Sequence, residues 1–190
     1  KMLKEAARGG HLMVTTACVG RPMAYEVFQH LQQLQFDELR SSFMDDPSIA
    51  NKILTGIGNS YDQLTDAVGA DNVYLELQFN KLNAQHLVNR ALIDFAKRSS
   101  LTDKLIVTCD SHYANPDHWR EREIYRKLGW LNYQEMDPSK LPQSREDLKC
   151  ELYPKNAEQV WDSYFNTTKN YDFYDDDLIC KAIDRTHDIV

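Results

Sequence analysis

The sequence is short of several features that would settle a class at once. Its four cysteines, Cys18, Cys109, Cys150 and Cys180, are widely spaced and form no Cys-x-x-Cys, so reduced thiols in a cytoplasmic protein are the expectation. No apolar run approaches the ~18 residues that a membrane span needs, and nothing resembles a signal peptide. Clustered basic charge is missing too. The net charge is -7, and Arg120, Arg122, Arg126 and Lys127 are interleaved with Glu121 and Glu123, which reads as a solvated helix face. Strong nucleic-acid binding by this chain alone is thereby excluded. There is no glycine-rich phosphate cradle, no Gly-x-Ser-x-Gly elbow and no base placed near Cys18, so a nucleophile scheme has no support. Internal repeats, low-complexity tracts and flexible linkers are also lacking. Asn166-Thr167-Thr168 matches a glycosylation acceptor, which means nothing in a cytoplasmic compartment.

What is present is an ordinary globular composition with apolar residues enough for a core. The 190 residues fall short of the roughly 250 of a closed βα barrel, and Lys1 lies in a helix-like stretch, so a fragment of a longer polypeptide is expected. Leu12 to Thr16, Asn72 to Gln78 and Leu105 to Thr108 read as strands, each followed by helical periodicity. Residues 36–70 read as a helical insertion, broken and restarted at Asp46-Pro47. Asn83 is expected to cap a helix to Arg98, Asn115 and Pro116 to open another, and Asn156 to begin a third with a capping box. Asp175-Asp176-Asp177 suits the positive end of a last helix, a reading preferred to metal binding.

The three strands end in groups that carry chemistry. Alternation places Leu12, Val14, Thr16 and Cys18 on one face, Tyr74, Glu76 and Gln78 on one face, and Asp110 and His112 together. Thiolate, imidazole and carboxylate gathered at the carboxyl ends of parallel strands would suit zinc, or manganese and iron where more oxygen ligands join. Plainer readings stand beside this one. Cys18 can be a small buried hydrophobe, Asp110 a turn cap and His112 a satisfied core residue. Glu76 is costly to bury alone and is preferred as a structural acid, supporting the site with Gln78. Cys109 should pack against a helix. His11, His30, His86, His118 and His187 share no ligand spacing and are assigned surface or capping roles.

Three segments in order carry a family likeness: Thr15-Thr16-Ala17-Cys18-Val19-Gly20, Val73 to Gln78, and Val107 to Tyr113. They resemble the PHP (polymerase and histidinol phosphatase) domain of bacterial C-family replicative DNA polymerases, the polymerase III alpha subunits. Glu151-Leu152-Tyr153, Ala157 to Phe165 and Leu178 to Val190 are similar to the end of that domain. The resemblance implies an α/β fold, a helix-rich part of a distorted TIM-like (βα)n barrel whose N-terminal half lies outside this chain. Residues 1–190 would be the C-terminal portion of the domain, with 36–70 inserted and 130–190 closing it.

It further implies a cluster of divalent metals (zinc, manganese or magnesium) held in part by Cys18, Asp110 and His112, with Asp110 and His112 catalytic in 3′–5′ exonuclease chemistry. Where the site is eroded, the domain would be a scaffold for a separate proofreading exonuclease subunit. Implied partners are the rest of the polymerase (N-terminal PHP half, palm and fingers) and, through it, DNA. The whole protein would be a DNA-directed nucleotidyltransferase, and this chain alone inactive. A free-standing metal-dependent phosphoesterase of the histidinol-phosphatase kind is the alternative, as is a module without catalysis. Arg21 where the family usually has Gly, Asn80 where it often has His, and the long insertion imply a divergent, even phage-like, member.

Overall fold

Apolar, β-branched segments set the sheet. In the computed structural model, which describes residues 2–8, 10, 12–16, 22–32, 34–130 and 142–189, β1 (Val14–Thr15), β2 (Val73–Leu77) and β3 (Leu105–Val107) pair in parallel in the order β1-β2-β3. Seven α-helices accompany them among the described residues: α1 (Met2–Ala7), α2 (Pro22–Phe28), α3 (Pro47–Val68), α4 (Asn83–Arg98), α5 (Trp119–Trp130), α6 (Ala157–Thr168) and α7 (Asp176–Ile189).

Register divides the sheet into two faces. Val14 pairs with Val73 and Leu75 with Leu105, and these residues, with Leu77 and Val107, join the core built by α2, α3, α4, α6 and α7. The opposite face carries Thr15 beside Tyr74 and Glu76 beside Ile106. Helices therefore cover one side, and polar groups gather on the other.

The helices form for local reasons. Asp46 accepts from the amides of Ser48 (2.8 Å) and Ile49 (3.3 Å), and Pro47 opens α3, as the sequence predicts. Gly69, at φ 91°, ends it in a conformation that a side chain would strain. The stretch before it departs from expectation. Residues 36–45 form two 3₁₀ turns separated by extended Leu39 and Arg40, and α3 then runs unbroken for 22 residues. Asn83 is the first residue inside α4 and not its cap; Leu82 holds that position, and Asn80 Oδ1 accepts from the Leu82 amide at 3.0 Å. At Asn115 the backbone turn is as expected, but no side-chain cap forms. The Asn156 capping box does form, with Gln159 bonded in both directions.

The outer edge of β3 is closed by side chains of α7. In parallel pairing Glu76 lies opposite Ile106, and Thr108 N–H donates to Leu77 (3.1 Å), so the backbone groups of Leu105 and Val107 face away from β2. The Thr186 hydroxyl accepts from Val107 N–H at 3.1 Å and lies 3.0 Å from the Val107 carbonyl, while Arg185 donates to the Leu105 carbonyl at 2.6 Å. Thr186→Val leaves that amide without an acceptor, and chemical denaturation should show a loss of about 1–2 kcal/mol. Thr186→Ser, which keeps the hydroxyl, should recover most of it.

Candidate functional site at the carboxyl edge of the sheet

Glu76 is the centre of the polar face. It is 7% exposed, and its carboxylate accepts from the hydroxyls of Thr15 and Thr108 and, at 2.9 Å, from Gln78 Nε2. Its own amide donates to Thr16 Oγ1 at 2.9 Å. One carboxylate thus reaches β1, β2 and the residue after β3, and hydrogen bonds from three side chains repay the cost of burying it. Gln78, placed on the same face as Glu76 by strand alternation, is one of the partners that the buried acid needs. The threonines that complete the group carry a usable signal, since Thr15-Thr16 and Thr108 stand at corresponding strand ends.

A second polar group lies behind Gln78. Asn89 Nδ2 donates to the Gln78 carbonyl and to Tyr174 Oη, both at 2.9 Å, and Gln85 Nε2 donates to Asn89 Oδ1 at 2.9 Å. His86, assigned a surface or capping role from sequence, is 1% exposed instead. Its Nδ1 lies 2.7 Å from Tyr174 Oη, and its ring stacks on Tyr171 at 4.2 Å. Burial lowers its pKa to about 4, against a backbone hydrogen bond with Asn80 that pulls upward. Spacing could not find it, because the aromatic residues that cover it come from the far end of the chain.

Asp110 and His112 follow β3, which stops at Val107. Asp110 sits at φ 46°, in the left-handed region, so the strand alternation that put both side chains on one face does not extend to them. His112 is exposed, and its Nδ1 lies 2.6 Å from the Asp110 carbonyl. A carbonyl only accepts, so Nδ1 carries the proton and Nε2 is left as an acceptor, the tautomer that a metal-ligating histidine uses. The Asp110–Tyr113 loop is tied down by the His112 amide, which donates to the Leu152 carbonyl at 2.7 Å. In return the Leu152 amide donates to Tyr113 Oη at 3.0 Å.

Cys18 lies outside the described residues. Val14, on which its face assignment rests, points to the helices. Among the described residues no three His, Cys, Asp or Glu side chains gather closely enough to hold a metal ion. Asp110 and His112 share the loop after β3 with no third such side chain close enough, among the described residues, to complete a metal site with them.

Beside the loop, Lys155 donates to the Glu151 carbonyl at 2.5 Å and lies 4.3 Å from the centre of the Tyr153 ring; burial lowers its pKa. Burial also pushes the Cys150 thiol up to about 11, which keeps it protonated and unreactive at neutral pH. Cys109 is half-buried against the core, as expected. A cleft of about 360 Å³ is lined by Phe79, Asn80, Lys81, Arg145, Glu151 and Tyr153 among others. The charged residues of α5 are not purely a solvated face. Glu123 is 8% exposed and bonded at 3.0 Å by both Arg122 and Arg126.

No family model matches the chain. Over 47 residues, a quarter of this chain, it is 49% identical to the DNA polymerase III subunit alpha of Aquifex aeolicus (strain VF5). The match covers 4% of that relative, so the chain spans only a small part of its length. Among the described residues no helix is long and apolar enough to cross a membrane.

Proposed function

We propose that the chain is a C-terminal portion of the PHP domain of a polymerase III alpha subunit and serves DNA replication in the cytoplasm as part of that larger polypeptide. The observation that carries this reading is the 47-residue likeness to such a subunit. The polar carboxyl edge supports it, because a barrel of parallel strands builds its site at that end. In this reading Asp110 and His112 hold a divalent metal (zinc, manganese or magnesium) together with Cys18 and ligands from the other half of the barrel. When bound, the metal supplies Lewis-acid stabilisation of charge on a 3′-terminal phosphodiester. The chain's own residues orient and support: the Asp110 carbonyl sets the His112 tautomer, and Glu76 with Gln78 holds the strands in register behind the loop.

The test is Asp110→Asn in the full-length polymerase. Hydrolysis of a 3′-labelled single strand should fall about 100-fold, the upper end of the loss when a metal site's surroundings are disturbed, with metal content falling alongside. A scaffold for a proofreading subunit is the second reading, favoured by how completely Glu76 is occupied in tying strands together. Unchanged hydrolysis and no bound metal in the parent protein would decide for it.

A further inference from the structure

Residues 169–175, which connect α6 to α7, are tied to the turn after β2 by one chain of hydrogen bonds whose directions can be worked out. Asn89 grips both backbone groups of Gln78: Nδ2 donates to the carbonyl at 2.9 Å, and Oδ1 faces the amide at 3.4 Å. This fixes which end of the Asn89 side chain is nitrogen, so Tyr174 Oη accepts from Asn89 Nδ2. Burial holds the Tyr174 phenol well above its ordinary pKa, so the hydroxyl keeps its own proton. Among the described residues, His86 Nδ1, 2.7 Å away, is the acceptor for that proton. The imidazole is therefore neutral and carries its proton on Nε2.

A second proton on His86 would sit on Nδ1 and face the Tyr174 O–H, donor against donor. The surrounding elements do not offset the charge. Tyr171 stacks on the ring and donates to Asn83 at 2.9 Å, Arg40 faces Tyr171, and Arg90 lies 5.5 Å from the centre of Phe173. The carboxylates of these elements are taken, Asp45 and Asp94 by Arg90 and Asp176 by the Tyr164 hydroxyl.

We propose that residues 169–175 are a latch on the turn after β2, closed by the Tyr174 hydroxyl while His86 is neutral and released when Nδ1 takes a proton. Release is a local opening, distinct from unfolding of the sheet. It takes Tyr174 away from Asn89 and so loosens Gln78, whose side chain holds Glu76. The carboxyl edge of the sheet thereby responds to a residue near the far end of the chain. The proposal needs only these hydrogen-bond directions and stands apart from the polymerase reading.

Amide exchange read by NMR in urea below the unfolding midpoint tests it, with rates corrected for the intrinsic effect of pH. The Tyr171 amide, bonded to the Thr168 carbonyl at 2.9 Å, and the Gln78 amide report the latch; the Val107 amide, bonded to Thr186, reports the sheet. Tyr171 and Gln78 should exchange through an opening that urea leaves unchanged, and Val107 through urea-dependent global unfolding. The imidazole titrates near 6.5 when open and at about 4 when closed, so the latch is held above that range and lost as pH falls through it. The open population should grow about tenfold per pH unit from 6.5 to 4, about 300-fold in all. His86→Gln keeps an acceptor for Tyr174 and should keep the latch closed while flattening its pH dependence. Tyr174→Phe removes only the hydroxyl and should raise the open population about tenfold at pH 7. The proposal is overturned if Tyr171 and Gln78 follow Val107 in urea, or if the pH dependence is absent from the parent or survives His86→Gln. It is equally overturned if Tyr174→Phe leaves the opening unchanged.

Discussion

Glu76→Leu should lower the unfolding free energy by about 3 kcal/mol in a urea titration, because buried donors left without an acceptor cost about 1–3 kcal/mol each. Leucine fills much of the same space but accepts nothing. Gln78, 4% exposed, would suffer most, since its Nε2 has its 2.9 Å partner on Glu76 and only a longer contact, 3.4 Å, to Thr108. Thr15 is exposed and can turn to water, so its share of the loss is small. Glu76→Gln is the informative companion. It keeps one carbonyl oxygen for Gln78 and offers an amide that a hydroxyl can accept from, so it should cost about 1 kcal/mol. A leucine variant within 0.5 kcal/mol of the parent, roughly the scatter of surface substitutions, would remove Glu76 from the account of the fold.

The second large effect is in pH. His86 is buried neutral, with its pKa lowered to about 4 from an ordinary 6.5. The unfolded chain therefore takes up a proton before the folded one does, and stability falls as pH falls between those values. Above about pH 6.5 the neutral imidazole costs nothing, and below about pH 4 both states are charged and the loss is complete. At 1.36 kcal/mol per unit the contribution amounts to about 3 kcal/mol. Carboxylates titrate across the same range, so the measurement is a difference: urea midpoints from pH 7 to 4 for the parent and for His86→Gln. The variant should show the shallower fall. Parallel curves would mean that His86 is not sealed from water.

Much of the fold was legible because its signals are local. The apolar runs gave the strands, the acid within Val73–Leu77 was marked as needing partners, and the caps at Asp46 and Asn156 announced their helices. What failed depended on distant residues or on a single torsion. His86 is buried because Tyr171 and Tyr174 cover it, the latter 88 residues away, and no spacing within α4 reports that. The shared face for Asp110 and His112 assumed an extended chain past Val107, and the left-handed turn at Asp110 ends that assumption. Residues 36–45 look helical by apolar spacing, yet Leu39 and Arg40 stay extended, with the Arg40 guanidinium bonded back to the carbonyls of Asp37 and Leu39. At the site, the shared face of Glu76 and Gln78 was readable from alternation. The threonine hydroxyls that bond Glu76 come from neighbouring strands, and their only sequence signal is their place at corresponding strand ends.

The closure of β3 by α7 also bears on the order of events during synthesis. Leu105 to Val107 leaves the ribosome 79 residues before the threonine that seals Val107. Through that interval a short apolar β-branched strand stands with one side unpaired, the kind of segment from which intermolecular sheets grow. Chains interrupted ahead of Thr186 should therefore be recovered in the insoluble fraction more than chains that extend past it, in which Thr186 bonds the Val107 edge.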